Sequence, residues 1–398
     1  MMTNGFAGNV LRLMAGVAMV FLLFSCDDEQ FNKGDLSEVR TLTPEEKFLI
    51  QSSNEFAMNL LEETRGENSE NFLISPIGAS MTLGIIGNAG SEESYEAFRE
   101  KMHLPKFTDM EVNKAFYEVR TLLPLVDPSV KISFATSVWS NYDLSSNANF
   151  YNKVLAYFET DIMEFREEKS IDKKQIDKWL AGKTQNESIS LQTFDPNSNF
   201  RIINYSSFGG RMFDGLSTLQ ITYPFSGVDG DEKKITMNFY QEIPVNVSQK
   251  EGALHLEIPI GNSNYLLKVM MPYDNVDEAN LSSTTSTPNL AIANVLIPDI
   301  RTSTELSLNR KLKEFEAEEY LYEALSSAFG HRDIQPQLAS IHKSVLHIEG
   351  KKLNATPIPF EELQFEGDVL AINRPFYYLV KEKNTDLIVF GGKYIYPN

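Results

Sequence analysis

The stretch Leu370-Ala371-Ile372-Asn373-Arg374-Pro375-Phe376-Tyr377-Tyr378-Leu379-Val380 sets an aromatic, apolar run directly behind a proline. Proline has no amide proton for a ladder, so it belongs ahead of such a run and not inside it. The run Phe376 to Lys381 and a second one, Leu387 to Tyr394, flank Asn384-Thr385 and read as a hairpin. Upstream, Ala253 to Ile260 and Tyr265 to Met271 are joined by Gly261-Asn262-Ser263-Asn264, another hairpin by turn chemistry. One earlier segment, Lys131 to Trp139, carries strand-like alternation.

Ahead of these strands, helical periodicity dominates. Thr43-Pro44-Glu45-Glu46 supplies an N-cap, a first-turn proline and a capping-box glutamate, and Leu49, Phe56 and Leu60 then share one face until Gly66. Asn71-Phe72-Leu73-Ile74 is a short apolar run ending at Ser75-Pro76, which opens a second helix through Ile85 and Ile86. Tyr95 to Met102, Val112 to Leu123, Phe150 to Phe158 and Asp172 to Leu180 show the same three- and four-residue spacing. Gly209-Gly210 reads as a turn. Helices first and strands later, with no repeat and no long internal linker, argue for one α+β domain over residues 42–398.

The chain has 398 residues, 36 Lys+Arg and 55 Asp+Glu, for a formal charge of −19. That composition is globular, and its charge is wrong for a polyanion, so nucleic acid is excluded as a partner. Five histidines occur, His103, His255, His331, His342 and His347, with no pair at zinc-helix spacing. No G-x-S-x-G elbow, P-loop or dinucleotide fingerprint is present. Neither a metal, a cofactor nor an enzymatic activity is therefore expected.

Residues Met14 to Ser25 form an apolar run behind Arg12, the size of a signal-peptide core and too short to span a bilayer. The run ends Leu23-Phe24-Ser25-Cys26, and Cys26 is the only cysteine in the sequence. This resembles the bacterial lipoprotein signal. The resemblance implies a signal peptide over 1–25, a lipid on Cys26 and an acidic tether over 26–41, placing the protein in the cell envelope at the outer membrane, surface-exposed or periplasmic.

Over roughly residues 45 to 398 the chain resembles the serpins. Leu370 to Val380 fits that family's C-terminal signature, and Phe390-Gly391-Gly392-Lys393 with Pro397 is similar to its closing strand. Asn71 to Pro76 resembles its strand-to-helix junction, Trp179 and Thr184 a helix-end motif, and Leu296-Ile297-Pro298 the strand before an amphipathic helix. Ile341-His342-Lys343-Ser344-Val345-Leu346 resembles the strand before the reactive loop. The resemblance implies three β-sheets with eight or nine helices, an exposed reactive-centre loop between His342 and Pro375, and a monomer that traps secreted serine or cysteine proteases. A protease cuts the loop, and the loop inserts as a new central strand; the inhibitor needs no catalytic residue.

By the same resemblance Ser75, Asn204 and His342 meet where the central sheet opens, and the scissile bond falls at Gln364-Phe365, with Phe360 and Leu363 as neighbouring candidates. Three departures stand out. The hinge Gly350-Lys351-Lys352-Leu353-Asn354-Ala355-Thr356-Pro357 lacks the small-residue run of inhibitors, and Pro357 and Pro359 would withhold two N–H groups from one neighbouring strand. A glycine, Gly78, stands where the family has serine, and Met212 where it has tryptophan. The loop is also slightly short between its landmarks. An alternative is therefore a non-inhibitory serpin-fold binding or protease-substrate protein; an envelope hydrolase has no constellation to support it.

Overall fold

The computed structural model describes residues 40–397, apart from 64–69, 165–171, 277–280, 282–288, 310–337 and isolated positions at 91, 103, 105–106, 142–143, 145–146, 187, 229 and 275. Arg40–Asn398 form one compact unit. Cys26, Gly66, His103 and His331 lie outside the described residues.

The first helix, α1 (Pro44–Glu63), starts at a closed capping box: Glu46 N–H donates to Thr43 Oγ1 at 3.3 Å and Thr43 N–H to Glu46 Oε2 at 2.8 Å. A three-residue strand, β1 (Phe72–Ile74), runs straight into α2 (Pro76–Gly87), which is buried along its whole length and capped by Ser75. Then come α3 (Glu92–Lys101), α4 (Asp109–Val126), β2 (Lys131–Ser140), α5 (Ala148–Phe158), β3 (Asp161–Glu164) and α6 (Lys173–Thr184). The rest is strand: β4 (Phe200–Arg211), β5 (Ser217–Ser226), β6 (Glu232–Lys250), β7 (Ala253–Ile260), β8 (Tyr265–Pro272), β9 (Asn289–Ile297), β10 (Ile300–Ser307) and β11 (Leu338–Glu349). Short pieces β12 (Lys351–Lys352), β13 (Ile358–Pro359) and β14 (Val369–Ala371) precede the closing hairpin β15 (Phe376–Glu382) and β16 (Ile388–Tyr394).

A five-stranded sheet has the order β10-β11-β4-β2-β3. The remaining strands form one hydrogen-bonded network, β1-β16-β15-β8-β7-β6-β5-β12, with β13 on β5, β9 on β6 and β14 on β9. The long strand β6 bridges what the resemblance counted as two separate sheets: its first half pairs with β5 and its second with β7, and β9 lies along it across the irregularity between Tyr240 and Ile243. Six α-helices fall among the described residues, against the eight or nine expected.

Gly209-Gly210 is not a turn. Both glycines lie inside β4, where a Cβ on Gly210 would stand 2.5 Å from Ile260 Cγ2. The small residue lets the neighbouring β7 side chain fill that space, a packing demand that turn chemistry cannot reveal.

One face of the five-stranded sheet packs on α2. The other is covered by α6, whose Ile176, Trp179 and Leu180 cluster with Trp139, Ile203, Tyr205 and Ile341 from three strands. Trp179 Nε1 donates to Asp161 Oδ2 at 2.7 Å, fixing the helix to β3. The chain after α6 is strapped across the sheet: Gln192 and Thr193 N–H donate to Glu305 of β10 at 2.8 and 2.5 Å, and Glu305 also pairs with Lys343 of β11 at 3.5 Å. Among the described residues no helix is long and apolar enough to cross a membrane.

Candidate functional site: the β4–β11 seam and the loop beside it

Strands β4 and β11 are neighbours although more than a hundred residues separate them in sequence, and they run parallel in an unbroken register from Leu338↔Phe200 to Glu349↔Arg211. Parallel strands need a crossover between them, and their side chains here are buried on both faces over most of their length. In β11 the alternation sends Ile341, Lys343 and Val345 toward α6 and His342, Ser344 and Leu346 toward α2. His347, five residues from His342, lands on the opposite face and is exposed.

Ser75, Asn204 and His342 meet under the middle of this seam. The Nδ1–H of His342 donates to Asn204 Oδ1 at 2.8 Å, and Nε2 accepts from Ser344 Oγ–H at 2.8 Å and Ser75 N–H at 3.2 Å. The Ser75 hydroxyl donates to Val389 O at 3.0 Å, tying the start of α2 to β16. Asn204 Oδ1 also accepts from Ser206 Oγ at 3.1 Å, and its Nδ2 donates to Thr136 Oγ1 of β2 at 3.0 Å. Full burial pushes the His342 pKa down from 6.5 to about 3, and both ring nitrogens are satisfied by the neutral Nδ1–H tautomer.

Ser206 and Ser344 were not singled out from the sequence. Each stands two residues from a residue that was, Asn204 or His342, and period two in a strand puts it on the same face; that spacing was the available signal. Gly78 explains the use of Ser206. A Cβ at Gly78 would stand 2.3 Å from Ser206 Oγ, 2.8 Å from Asn204 Oδ1 and 2.8 Å from His342 Cε1. The space a serine at this position would take is thus filled from the opposite strand, by a hydroxyl that bonds the same asparagine. Met212 is fully buried beyond the end of β4, where its N–H donates to Glu349 O at 2.9 Å and so joins β4 to the tip of β11.

The hinge and loop do not project freely. Gly350 N–H donates to Asp299 Oδ1 at 3.3 Å, and Lys352 Nζ lies 3.1 Å from Asp299 Oδ2. Lys351 and Lys352 run parallel to Ser217 and Thr218 at the edge of β5, and Leu353 N–H donates to Thr218 O at 2.9 Å. Asn354 takes the place of a backbone residue in this ladder: its Oδ1 accepts from Gln220 N–H at 2.7 Å and its Nδ2 donates to Gln220 O at 2.9 Å. Ala355 and Thr356 are exposed, Pro357 is half-buried, and Ile358 and Pro359 rejoin β5 opposite Ile221 and Thr222.

Next the chain crosses the face of the sheet. Phe360 packs edge-on against Tyr223 of β5 with ring centres 4.8 Å apart, and Phe365 packs on Phe239 of β6 at 5.2 Å. The two loop rings meet each other at 5.5 Å, and Leu363 joins the same cluster over Ile221, Met237 and Leu296. Each ring pair contributes about 0.5–1.5 kcal/mol beyond its buried area, so the loop is latched to the sheet. Gln364 itself is exposed, whereas Phe365 is half-buried. The expectation of an exposed loop is met only in part, because the apolar faces of Tyr223 and Phe239 attract the loop's own aromatics.

This architecture has known relatives. A family model described as Serpin (serine protease inhibitor) matches residues 51–397. The chain belongs to the serpin family. Human neuroserpin is 22% identical over 89% of this chain and 92% of its own length. Among solved structures, human kallistatin superposes with a TM-score of 0.75 at 14% identity, covering 89% of this chain and 99% of that one. Human thyroxine-binding globulin superposes with a TM-score of 0.72 at 20% identity, covering 89% and 100%. Serpins are not enzymes, and among the described residues no cluster of three or more His, Cys, Asp or Glu side chains could hold a metal.

Two tests address the buried network. Between about pH 6.5 and 3 the unfolded chain carries a proton on His342 that the folded chain refuses, so stability is complete above pH 6.5 and falls as pH drops. From pH 7 to pH 5 the contribution lost is about 2 kcal/mol, read as a shift in urea midpoint that a His342→Asn variant does not show. Gly78→Ser alone is expected to destabilise by about 1–3 kcal/mol through overpacking. Adding Ser206→Ala should recover part of that loss, and a strictly additive double-mutant cycle would refute the shared-space account.

Proposed function

We propose that this serpin is a suicide substrate for secreted serine or cysteine proteases, acting by insertion of its cleaved loop between β4 and β11. The observation that carries the reading is a match of length and pattern. Both seam strands have 12 residues, and Leu353 to Gln364 supplies as many. A two-residue turn at Gly350-Lys351 would set Lys352 opposite Glu349 at the open end of the seam, where the ammonium can reach solvent. In that register Leu353, Ala355, Pro357 and Pro359 face the α2 side beside Ile348, Leu346, Ser344 and His342. Asn354, Thr356, Ile358 and Phe360 then face α6. An apolar, mostly small set on the core face is what a buried central strand requires.

Two costs oppose insertion. The ring latch must be broken, and Pro357 and Pro359 withhold two N–H groups from one flanking strand, stranding carbonyls at about 1–3 kcal/mol each where water cannot reach. Trapping is a race against hydrolysis of the acyl-enzyme, in which each 1.4 kcal/mol on the insertion barrier is about a factor of ten in rate. The docked loop therefore favours a second reading, a serpin-fold binding or protease-substrate protein that is cut without trapping. The cleaved bond in either reading is Gln364-Phe365 or a neighbour beside Leu363 or Phe360.

The cell-envelope location belongs to the same proposal. Support comes from the sequence Leu23-Phe24-Ser25-Cys26 and from the acidic stretch behind it. The described chain begins at Arg40, whose guanidinium is held by Glu46 at 2.6 Å and Glu118 at 3.0 Å. A tether there would hold the loop where envelope proteases act.

Incubation of the full-length chain with a panel of serine and cysteine proteases, followed by a denaturing gel and intact mass, tests the trap. A covalent complex is expected, and Pro357→Ala with Pro359→Ala should raise the trapped fraction by roughly tenfold relative to simple cleavage. Cleavage with no complex and no rise in melting temperature would leave the substrate reading. Fractionation tests the anchor: the natural chain is expected with the membranes and Cys26→Ala in the soluble fraction, while equal partition of the two would sink the lipid assignment.

A further inference from the structure

Among the described residues, strand β9 is paired along only part of one edge. It pairs with β6 from Asn289 to Ile297, but on its other side β14 covers only Asn294 to Leu296. The direction of its backbone groups is fixed by two independent observations. Leu296 O accepts from Ile372 N–H at 2.8 Å, on the side of the chain that carries β14, so alternate residues Asn294, Ile292 and Leu290 turn their N–H and C=O the same way. Opposite Ile292 on β6 stands Pro244, which has no N–H to give, as a position outside the β6–β9 ladder allows.

Leu290 and Ile292 thus present backbone donors and acceptors to an edge that no strand among the described residues occupies. Their side chains are 73% and 68% exposed and lie on the same face as Leu296, which belongs to the cluster that holds Phe360, Leu363 and Phe365. No charged residue interrupts Asn289 to Ile297, although sheet edges are ordinarily blunted by charge.

The register of β14 names the occupant. Val369 stands opposite Asn294 in a parallel pair. Continued toward the N-terminus without a break, that register sets Asp368 opposite Ala293, Gly367 opposite Ile292, Glu366 opposite Ala291 and Phe365 opposite Leu290. Phe365 and Gly367 then fall on the apolar, exposed face, and the two acids on the other. In the intact chain this extension is blocked. Ile358 and Pro359 are held on β5, Phe365 is held over β6, and Gly367, at φ 82°, bends the chain into β14.

We propose that cleavage of the loop frees Phe365–Asp368 to extend β14 down the open edge of β9, seating the Phe365 ring against Leu290 and Ile292. This rests on the loop being the segment that proteases cut, but not on trapping. It has a consequence for the acyl-enzyme. The protease nucleophile attacks the Gln364 carbonyl carbon, the bond to the Phe365 nitrogen breaks, the acyl group stays on the protease, and the nitrogen leaves as an amine with a proton from the protease's general acid. That amine is the nucleophile of the reverse step and remains tethered beside the ester or thioester at high effective concentration. Zipping onto β9 withdraws it, so the two new ends leave the cut in different directions and acylation does not run backward.

The test is amide hydrogen exchange in peptides spanning Asn289–Ile297, before and after the full-length chain is cut by a protease whose site within 353–364 is fixed by intact mass. At least tenfold slower exchange is expected on cleavage at Ile292, whose N–H would donate to Glu366 O, and Glu366→Pro, which has no N–H for Leu290 O, should abolish that gain. Unchanged exchange at Ile292 in the cut chain overturns the proposal. A covalent complex with an unprotected β9 would overturn it alone; protection without a complex would overturn trapping alone; failure of every protease to cut within 353–364 overturns both.

Discussion

The proposed trapping step depends on one parallel strand pair. The β4–β11 seam is closed by backbone hydrogen bonds along its full length and underpinned by a polar network in which His342 is the only aromatic base. A parallel pair is the weaker kind of ladder per residue, and a neutral imidazole bonded to an asparagine, a serine and a backbone N–H is a directional contact that fails if the strands slide. The seam therefore has a definite closed state and a defined way of losing it. Across its outer face the α6 helix and the Glu305-tied strap cover both strands, so opening requires those contacts to shift together.

On the proposed mechanism the loop would choose between two surfaces with different chemistry. On β5 it satisfies backbone groups through Leu353 and Asn354 and buries rings on Tyr223 and Phe239, without asking Pro357 or Pro359 for a donor. In the seam it would gain ladder bonds on two sides but meet both prolines' missing donors. The docked state needs no sheet opening and is the one seen; the inserted state has more backbone pairing to offer. What separates an inhibitor from a substrate on this scaffold is the rate of exchange between these surfaces, and the prolines and the latch act on that rate.

Much of the scaffold was legible in the sequence because it is written in local signals. Turn residues between alternating runs located β7–β8 and β15–β16, and the capping boxes at Thr43 and the Ser75-Pro76 pair located helix starts. The glycines at 209 and 210 misled for the converse reason. The role of Gly210 is set by Ile260 on a strand some fifty residues away, and a local reading could offer only a turn. The site divided along the same line. Ser75, Asn204 and His342 were placed together by the family resemblance, but Ser206 and Ser344 are single serines whose meaning comes from the strand opposite. The docking of the loop depends on Tyr223 and Phe239 showing an apolar face at one particular height of β5 and β6, which no pattern within 350–375 encodes.

A loop that spans two strands' edges is under a constraint that a free loop is not. Held by β5 at one end and β14 at the other, residues 360–368 must arch over β6, and the arch keeps Phe365 from the apolar edge of β9 that the register of β14 points toward. While the chain is whole, the two anchoring pairings restrain each other; on the proposed cleavage the C-terminal end would be free to lengthen β14 and the N-terminal end to leave β5. In the proposed states the N-terminal end would reverse at Gly350-Lys351 into the seam as a new strand, and the C-terminal end would extend β14 along β9. The extension along β9 needs no new nucleus, because it begins from the β14–β9 pairs already formed, whereas insertion into the seam must first make the turn at Gly350-Lys351 and start a new ladder. A single cleavage would then release two strand extensions, and the bond that was cut would have both of its ends drawn away from the protease.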